Sequence, residues 1–499
     1  MSGETITARL PRHAGAAPER AAIVCDGDAI CWGALNATVE RLAAHLAQRV
    51  PPGRGVALHL GNGPALALLF LAAARAGREA QILDPAWPLA TARAAIAALT
   101  PGLVVSDSAM LAGEGLAVVI DAHLPFARVA DALGSSTEGA PPPGPDPLAP
   151  FYVGFTSGST GLPKGFRRHH RSWVKSFRAG DREFDIGATD VVLAPGSLTH
   201  SLFLYALVHG LDVGATVVLC RTFRPNHVVR LMRQHDASVL YGVPTQLEMI
   251  VEAAAREGAS FPAMRWVLSS GAKWQGRAGA ELRRLCPAAR FAEFYGASEL
   301  SFTTVARDDE DVPAGSVGRA FAGVELTIRD HRGRVLPPGE VGEVFVKSPF
   351  LFMGYACGDA APLRQADGAV SVGDVGVLDA RGFLRLVGRA SRMIVTAGKN
   401  VHPEEIERVL EAHPAVASAA VLGTDDARRG ERLVALVRFR DGAAADTPAL
   451  IAHARAALPL HRIPRRYAVP PRWPTTSSGK SDFEALCRLW QAGACVGLP

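Results

Sequence analysis

The sequence predicts an α/β protein with a large N-terminal part of two β-α layered subdomains plus a small β-barrel-like subdomain, and a smaller mobile α+β C-terminal domain. Three observations carry that expectation. Residues 191–295 alternate short β-rich runs with helical stretches, residues 324–386 switch to alternating strands broken by Gly turns, and the segment beyond 389 repeats strands and helices on a smaller scale. At 499 residues with 48% apolar content, the chain exceeds the size at which one core stops growing, so more than one domain is expected.

In chain order, 56–60, 81–83 and 103–106 read as strands between Ala-rich helices at 32–48, 64–77 and 89–99, which makes a first α/β layer. Residues 139–150, GAPPPGPDPLAP, read as a linker, because proline removes donors and disfavours helix at the residue before it. Strands at 191–194, 216–220, 238–241, 265–269 and 290–295, alternating with helices at 202–209, 225–235, 245–256 and 275–285, predict a parallel sheet covered by helices. VELTIRD, VGEVFVKS and GVLDARGFLRLVG then suit a small antiparallel sheet or barrel. A helix at 403–412, strands at 416–422 and 433–439 and a helix at 448–458 form the last domain. The expected division is 1–388 and 392–499, joined by a hinge at 389–391.

The net charge of +5 is spread along the chain without a like-charge run, so no nucleic-acid partner is indicated. Seven cysteines, odd in number and without C-x-x-C or Cys/His metal spacing, fit a reducing, cytoplasmic setting. The N-terminus has no signal-type apolar core, and the longest apolar run, 65–74, is too short for a transmembrane segment; a soluble protein is expected, with a homodimer as a compatible assembly. Only six of the 53 basic residues are lysines. Where arginine is the usual cation, a lysine in a Gly-bounded loop points to a need for a compact ammonium, and Lys164, Lys399 and Lys480 sit in such loops.

The segment 156–165, TSGSTGLPKG, follows a strand-like stretch and combines three glycines, four hydroxyls and Lys164, a set suited to phosphate oxygens. It is not the Walker pattern, since Gly158 and Gly161 are too close and Gly165 follows the lysine. Taken alone, it also reads as a Ser/Gly surface loop. Further motifs follow: His200 in PGSLTHSLF, LSSGA ending at Ala272, YGASE at 295–299, GEVFVKSPFLFMGY at 342–355, VGD at 372–374, GRASRMIVTAGKNVHPEEIE at 388–407 and PTTSSGK at 474–480. In that order they resemble the signatures of the adenylate-forming superfamily: acyl- and aryl-CoA synthetases, peptide-synthetase adenylation domains and beetle luciferases. The pattern is most similar to fatty-acid and acyl-CoA ligases, and the resemblance spans almost the whole chain.

That resemblance implies ATP-dependent activation of a carboxylic acid to acyl-AMP, with Mg²⁺, and transfer to coenzyme A. A carboxylate attacking the α-phosphate brings two anions together, so the chemistry needs positioning and charge neutralisation. By resemblance, Thr156, Ser157, Gly158, Ser159, Thr160, Gly161 and Lys164 hold the β- and γ-phosphates, Ser298 meets the α-phosphate, and Glu299 with Thr160 serves the metal. Tyr295, followed by Gly296, stacks on adenine, and Ser270, Gly271 and Ala272 pass beside the base. Asp374 takes the ribose diol, and Arg389 faces ribose or phosphate at the start of the hinge. Lys480 bridges the substrate carboxylate and α-phosphate, and His200 lies beside the acyl carboxylate. Blander roles stay open for single residues: a cap for Ser298, a helix-end charge for Glu299, a turn aspartate at 374, a solvated arginine at 389, a solvated tail lysine at 480 and a structural histidine at 200.

Three positions depart from the family pattern: Ser391, where Asp or Lys is usual in the hinge, Asn400, and 481–483 after the lysine. Residues 193–211 hold no acidic side chain to pair with a substrate ammonium, so an amino acid is an unfavourable substrate. The pocket segments 201–207 and 241–247 are apolar with a few hydroxyls, which favours a fatty or aryl acid of undetermined length. The alternative acceptor is an acyl carrier protein, for which Arg462, Arg465 and Arg466 offer a basic patch. A non-catalytic nucleotide-binding protein is the reading of another class.

Overall fold

The computed structural model describes residues 5–111, 117–121, 123–135, 142–156, 162–270, 277–358, 363–396, 399–426, 430–475 and 481–499. They divide into two compact units, Met1–Glu325 with Val346–Pro362, and Leu326–Phe345 with Leu363–Pro499.

The first unit holds two sheets. In the seven-stranded one, Val56–His59, Ala80–Leu83, Leu103–Ser106, Ala117–Val119 and Pro150–Thr156 run parallel. The strands at 56–59, 80–83 and 103–106 are buried at every position, as parallel strands covered on both faces must be. The helix Pro64–Arg75 is likewise buried from Pro64 to Ala74, which explains its unbroken apolar sequence. Lys164–His169 returns antiparallel to Pro150–Thr156, with Thr156 opposite Lys164, and Gly354–Cys357 closes that edge.

The nine-stranded sheet runs parallel through Ala21–Cys25, Thr216–Leu219, Val191–Ala194, Val239–Gly242, Trp266–Ser270 and Arg290–Ala297. The five expected strands of 191–295 are therefore the parallel core of this sheet. Its members from the N-terminal hairpin, Ala21–Cys25 and Asp28–Cys31, join from almost two hundred residues away. The amphipathic helices Pro225–Gln234 and Pro244–Arg256 cover one face through Val228, Val229, Met232, Leu247, Ile250 and Val251.

In the second unit, Asp374–Leu378 pairs antiparallel with Leu384–Arg389 and with Gly342–Lys347 in a six-stranded sheet, the predicted change of texture. A second six-stranded sheet is built on the long pair Val416–Asp426 and Gly430–Phe439. Strand alternation gives it two buried faces. Ala419, Val421, Ala435 and Val437 pack under helices Pro403–Glu411 and Thr447–Ala457, and Ala420, Leu422, Val434 and Leu436 under Leu486 of Phe483–Gln491.

The expected domain break at 388–392 falls inside this second unit. Arg408 Nη2, on helix Pro403–Glu411, donates to Leu386 O at 3.2 Å, and a Cβ added at Gly388 would collide with the Glu404 carboxylate. The helix is thus seated against the strand that ends at Arg389.

Candidate active site

The phosphate-loop motif connects two strands of the first unit. Thr156 ends one, Lys164 begins the next, and the two face each other across the antiparallel pair. Lys164 Nζ lies 6.0 Å from the centroid of the Tyr355 ring, on the neighbouring strand Gly354–Cys357.

Tyr355 links this loop to the acidic motif. Its hydroxyl donates to Glu299 Oε1 at 2.8 Å. Glu299 is 8% exposed and sits in the turn between strands Arg290–Ala297 and Ser301–Arg307, so neither Ser298 nor Glu299 is at a helix start. The turn is tight. Ser301 adopts φ +64°, and a Cβ at Gly296 would overlap the Ser301 carbonyl oxygen, which is why a glycine stands there.

Arg168, 2% exposed, lies beneath the same turn and donates to the carbonyls of Ser298 and Phe350. Burial lowers its pKa to about 10, while the Glu299 charge opposes that shift, so the guanidinium is cationic at neutral pH. A buried carboxylate thus accepts from a phenol and lies near enough to a buried cation to act on its charge. With one oxygen pinned by Tyr355, Glu299 keeps acceptor capacity for a hard cation, which prefers oxygen ligands; this donor set fits Mg²⁺.

Tyr295 is half-buried on the strand leading into the turn, and Ser270, the last residue of the adjacent strand, stands opposite Phe294. His200 occupies the N-cap position of helix Ser201–Val213. Sequence order had scattered Thr156, Lys164, Ser270, Tyr295, Ser298, Glu299 and His200 over about 140 residues; all are now in one unit.

In the second unit, Asp374, 5% exposed, opens its strand directly opposite Arg389, and Arg389 Nε donates to Asp374 Oδ1 at 2.9 Å. Asp374 is therefore a buried carboxylate with its own arginine rather than a loose turn residue. Ser391 is exposed in the single 3-10 turn Ala390–Arg392 that follows. Ser157, Gly158, Ser159, Thr160, Gly161, Gly271, Ala272 and Lys480 lie outside the described residues.

Two site neighbours, and one polar cluster elsewhere, were not read from the sequence. Arg168 is one arginine among many, and only the strand alternation of Lys164–His169 marks it as inward-facing. Tyr355 closes a recognised motif, yet its partner is 56 residues away. Asp26, Cys220 and His227 bring ligand atoms within 4.8 Å of one another without any metal-like spacing. There His227 Nε2 is bonded to Asp26 Oδ1 at 2.7 Å and His227 Nδ1 meets Arg230 Nη2 at 3.3 Å, so both ring nitrogens are already taken by protein groups.

Known proteins align with most of this chain. The AMP-binding enzyme family matches residues 10–356, and the AMP-binding enzyme C-terminal domain matches 405–480. An uncharacterized acyl–CoA ligase of Bacillus subtilis strain 168, YhfT, is 37% identical over 479 residues, covering 95% of this chain and 96% of its own. A feruloyl-CoA synthase of an Amycolatopsis species is 30% identical over 485 residues, 94% and 96% of the two chains. The structure of O-succinylbenzoate coenzyme A synthetase (MenE) from Bacillus subtilis, in complex with ATP and magnesium ion, matches with a TM-score of 0.84 at 26% identity, covering 94% of this chain and 97% of that one. A family match over most of the chain means that this protein belongs to the AMP-binding, adenylate-forming enzymes.

Proposed function

We propose that the protein is an AMP-forming acid:CoA ligase whose acid is a fatty or aryl carboxylate. One carboxylate oxygen attacks the α-phosphate of ATP and pyrophosphate leaves; the thiol of coenzyme A then attacks the acyl carbon and AMP leaves. The observation that carries this reading is the Lys164–Tyr355–Glu299–Arg168 arrangement, which supports a buried carboxylate beside the phosphate-loop strand.

In this reading Thr156 to Gly161 and Lys164 hold the β- and γ-phosphates, Ser298 the α-phosphate, and Tyr295, Gly296 and Ser270 to Ala272 the adenine. Asp374 accepts from the ribose hydroxyls, with Arg389 fixing its orientation. Glu299 and Thr160 hold Mg²⁺, which supplies charge neutralisation on the phosphates. His200 lies beside the acyl carboxylate, and Lys480 neutralises the reacting anions.

Coenzyme A is favoured over a carrier protein as acceptor. Of the three arginines offered for an acidic carrier, Arg462 is committed to Glu405 at 2.6 Å and Arg466 lies over the Trp490 ring. All seven cysteines are free thiols, which supports a cytoplasmic setting, and among the described residues no helix is long and apolar enough to cross a membrane. Pyrophosphate release across a panel of carboxylic acids, with hydroxylamine as acceptor, tests activation independently of the thiol. Acid-dependent release is expected; acid-independent release contradicts acid activation, and no release with any acid leaves a non-catalytic nucleotide binder.

Thioester formation is proposed to need rotation of the segment after Ser391, as the sequence expectation of a hinge implies. A small residue there absorbs φ/ψ change, and proline removes that freedom. Ser391→Pro is expected to keep adenylation within a few-fold and to lose thioester formation by at least tenfold. Separate assays of the two half-reactions check this, and equal retention of both counts against the hinge.

A further inference from the structure

We propose that the acid accepted is compact, no longer than about six carbons or a single ring, because the end of its pocket is closed by Tyr205 and Phe302. This rests on the assignment of the acyl carboxylate to the neighbourhood of His200.

Helix Ser201–Val213 starts immediately after His200, and Tyr205 lies five positions on. For an acid lying along the helix from His200, the rise of 1.5 Å per residue gives about 7.5 Å before Tyr205 is reached. With C–C bonds of about 1.5 Å in a zigzag, roughly six carbons fill it. Beyond that depth the space between this helix and the sheet is occupied. Tyr205 meets Phe302 edge-on at 5.0 Å between ring centroids, Phe302 meets Phe294 at 4.7 Å, and Phe302 stacks on Phe321 at 4.5 Å. Each of these rings is at most 7% exposed. Phe302 and Phe294 lie on the two strands that flank the Glu299 turn, and Phe294 is in register with Ser270, on the same face of the sheet.

Tyr205 has no room to swing aside. Its ring is held by Trp173 at 5.7 Å and Phe177 at 5.2 Å, and its hydroxyl abuts the helix His170–Phe184 where a Cβ on Gly180 would come within 3.4 Å. Behind it lies a polar network. His209 Nε2 bonds Asp181 Oδ1 at 2.9 Å, Arg178 Nη1 donates to Asp181 at 2.7 Å, and Arg178 also pairs with Asp212. An alkyl chain threading past Tyr205 would have to displace close-packed rings and then lie against buried charges, both unfavourable. The bulky end of the pocket, which apolar sequence segments alone do not locate, is therefore provided by one side chain from the helix and one from the strand after Glu299.

The test is kcat/KM for coenzyme A thioester formation by the full chain, with ATP and Mg²⁺, over straight acids from acetate to dodecanoate and over benzoate. The expected optimum lies at or below hexanoate or at benzoate, with at least a hundredfold fall by dodecanoate. Phe302→Ala is expected to raise kcat/KM for dodecanoate at least tenfold relative to the best wild-type acid, with Phe302→Leu intermediate and, by keeping an apolar core side chain, guarding against misfolding. Wild-type use of dodecanoate within tenfold of the best acid overturns the proposal, as does an equal scaling of all acids in folded Phe302→Leu protein. Absence of pyrophosphate release with every acid is a different result, and it overturns the activation reading itself.

Discussion

Lys480→Ala is expected to slow acyl-adenylate formation by roughly 10²–10³-fold while leaving thioester formation from supplied acyl-AMP within a few-fold. The magnitude follows from the charges. A carboxylate and an α-phosphate oxygen brought to about 4 Å repel by about 4 kcal/mol at an effective dielectric of 20, and a cation placed between them removes a term of that size, close to a factor of 10³ in rate. The ammonium is compact enough to sit between two anions, whereas the planar guanidinium fork is not, so Lys480→Arg is expected to recover little. Single-turnover assays of the two half-reactions separate this from misfolding, which would depress both.

Arg168→Met is expected to be the most damaging change in the first unit away from any reacting atom. It leaves the Ser298 and Phe350 carbonyls without their buried donor and Glu299 without its nearby cation, at a cost of about 3–5 kcal/mol. For a large domain that corresponds to a fall of on the order of 10 °C in melting temperature. Because the same guanidinium supports the turn carrying Ser298 and Glu299, the stabilisation that MgATP confers on the wild type should largely vanish. Thermal unfolding with and without MgATP checks both parts, and a variant that melts normally and keeps the MgATP shift would show that Glu299 needs no buried counter-charge. Arg168→Lys should rescue little, since one ammonium replaces a fork that reaches two carbonyls.

What the sequence made legible was what local chemistry writes into consecutive residues. Glycines, hydroxyls and a scarce lysine in 156–165 announce a loop, and the strands that bound it fall at Thr156 and Lys164. The alternation of 191–295 announces a parallel sheet, because each strand there but the last is followed by a helix long enough to cross over. What stayed hidden depends on pairings between distant residues. The hairpin Ala21–Cys31 adds to a sheet whose next strand is Thr216–Leu219. Arg168 looks like any other arginine until the turn at Glu299 folds over it, and Tyr355 acquires its role only when its strand docks beside Lys164–His169. The pocket end was hidden for the same reason, since Tyr205 and Phe302 are nearly a hundred residues apart and become one wall only through packing.

The route of the carboxylate oxygen tests the account most directly. Acid labelled with ¹⁸O in both carboxylate oxygens is turned over with ATP, Mg²⁺ and coenzyme A, and the products are analysed by mass spectrometry. Attack on the α-phosphate followed by thiol attack on the acyl carbon predicts one ¹⁸O atom in AMP per thioester formed and none in pyrophosphate. Label appearing in inorganic phosphate alongside ADP, the signature of attack on the γ-phosphate, would contradict it.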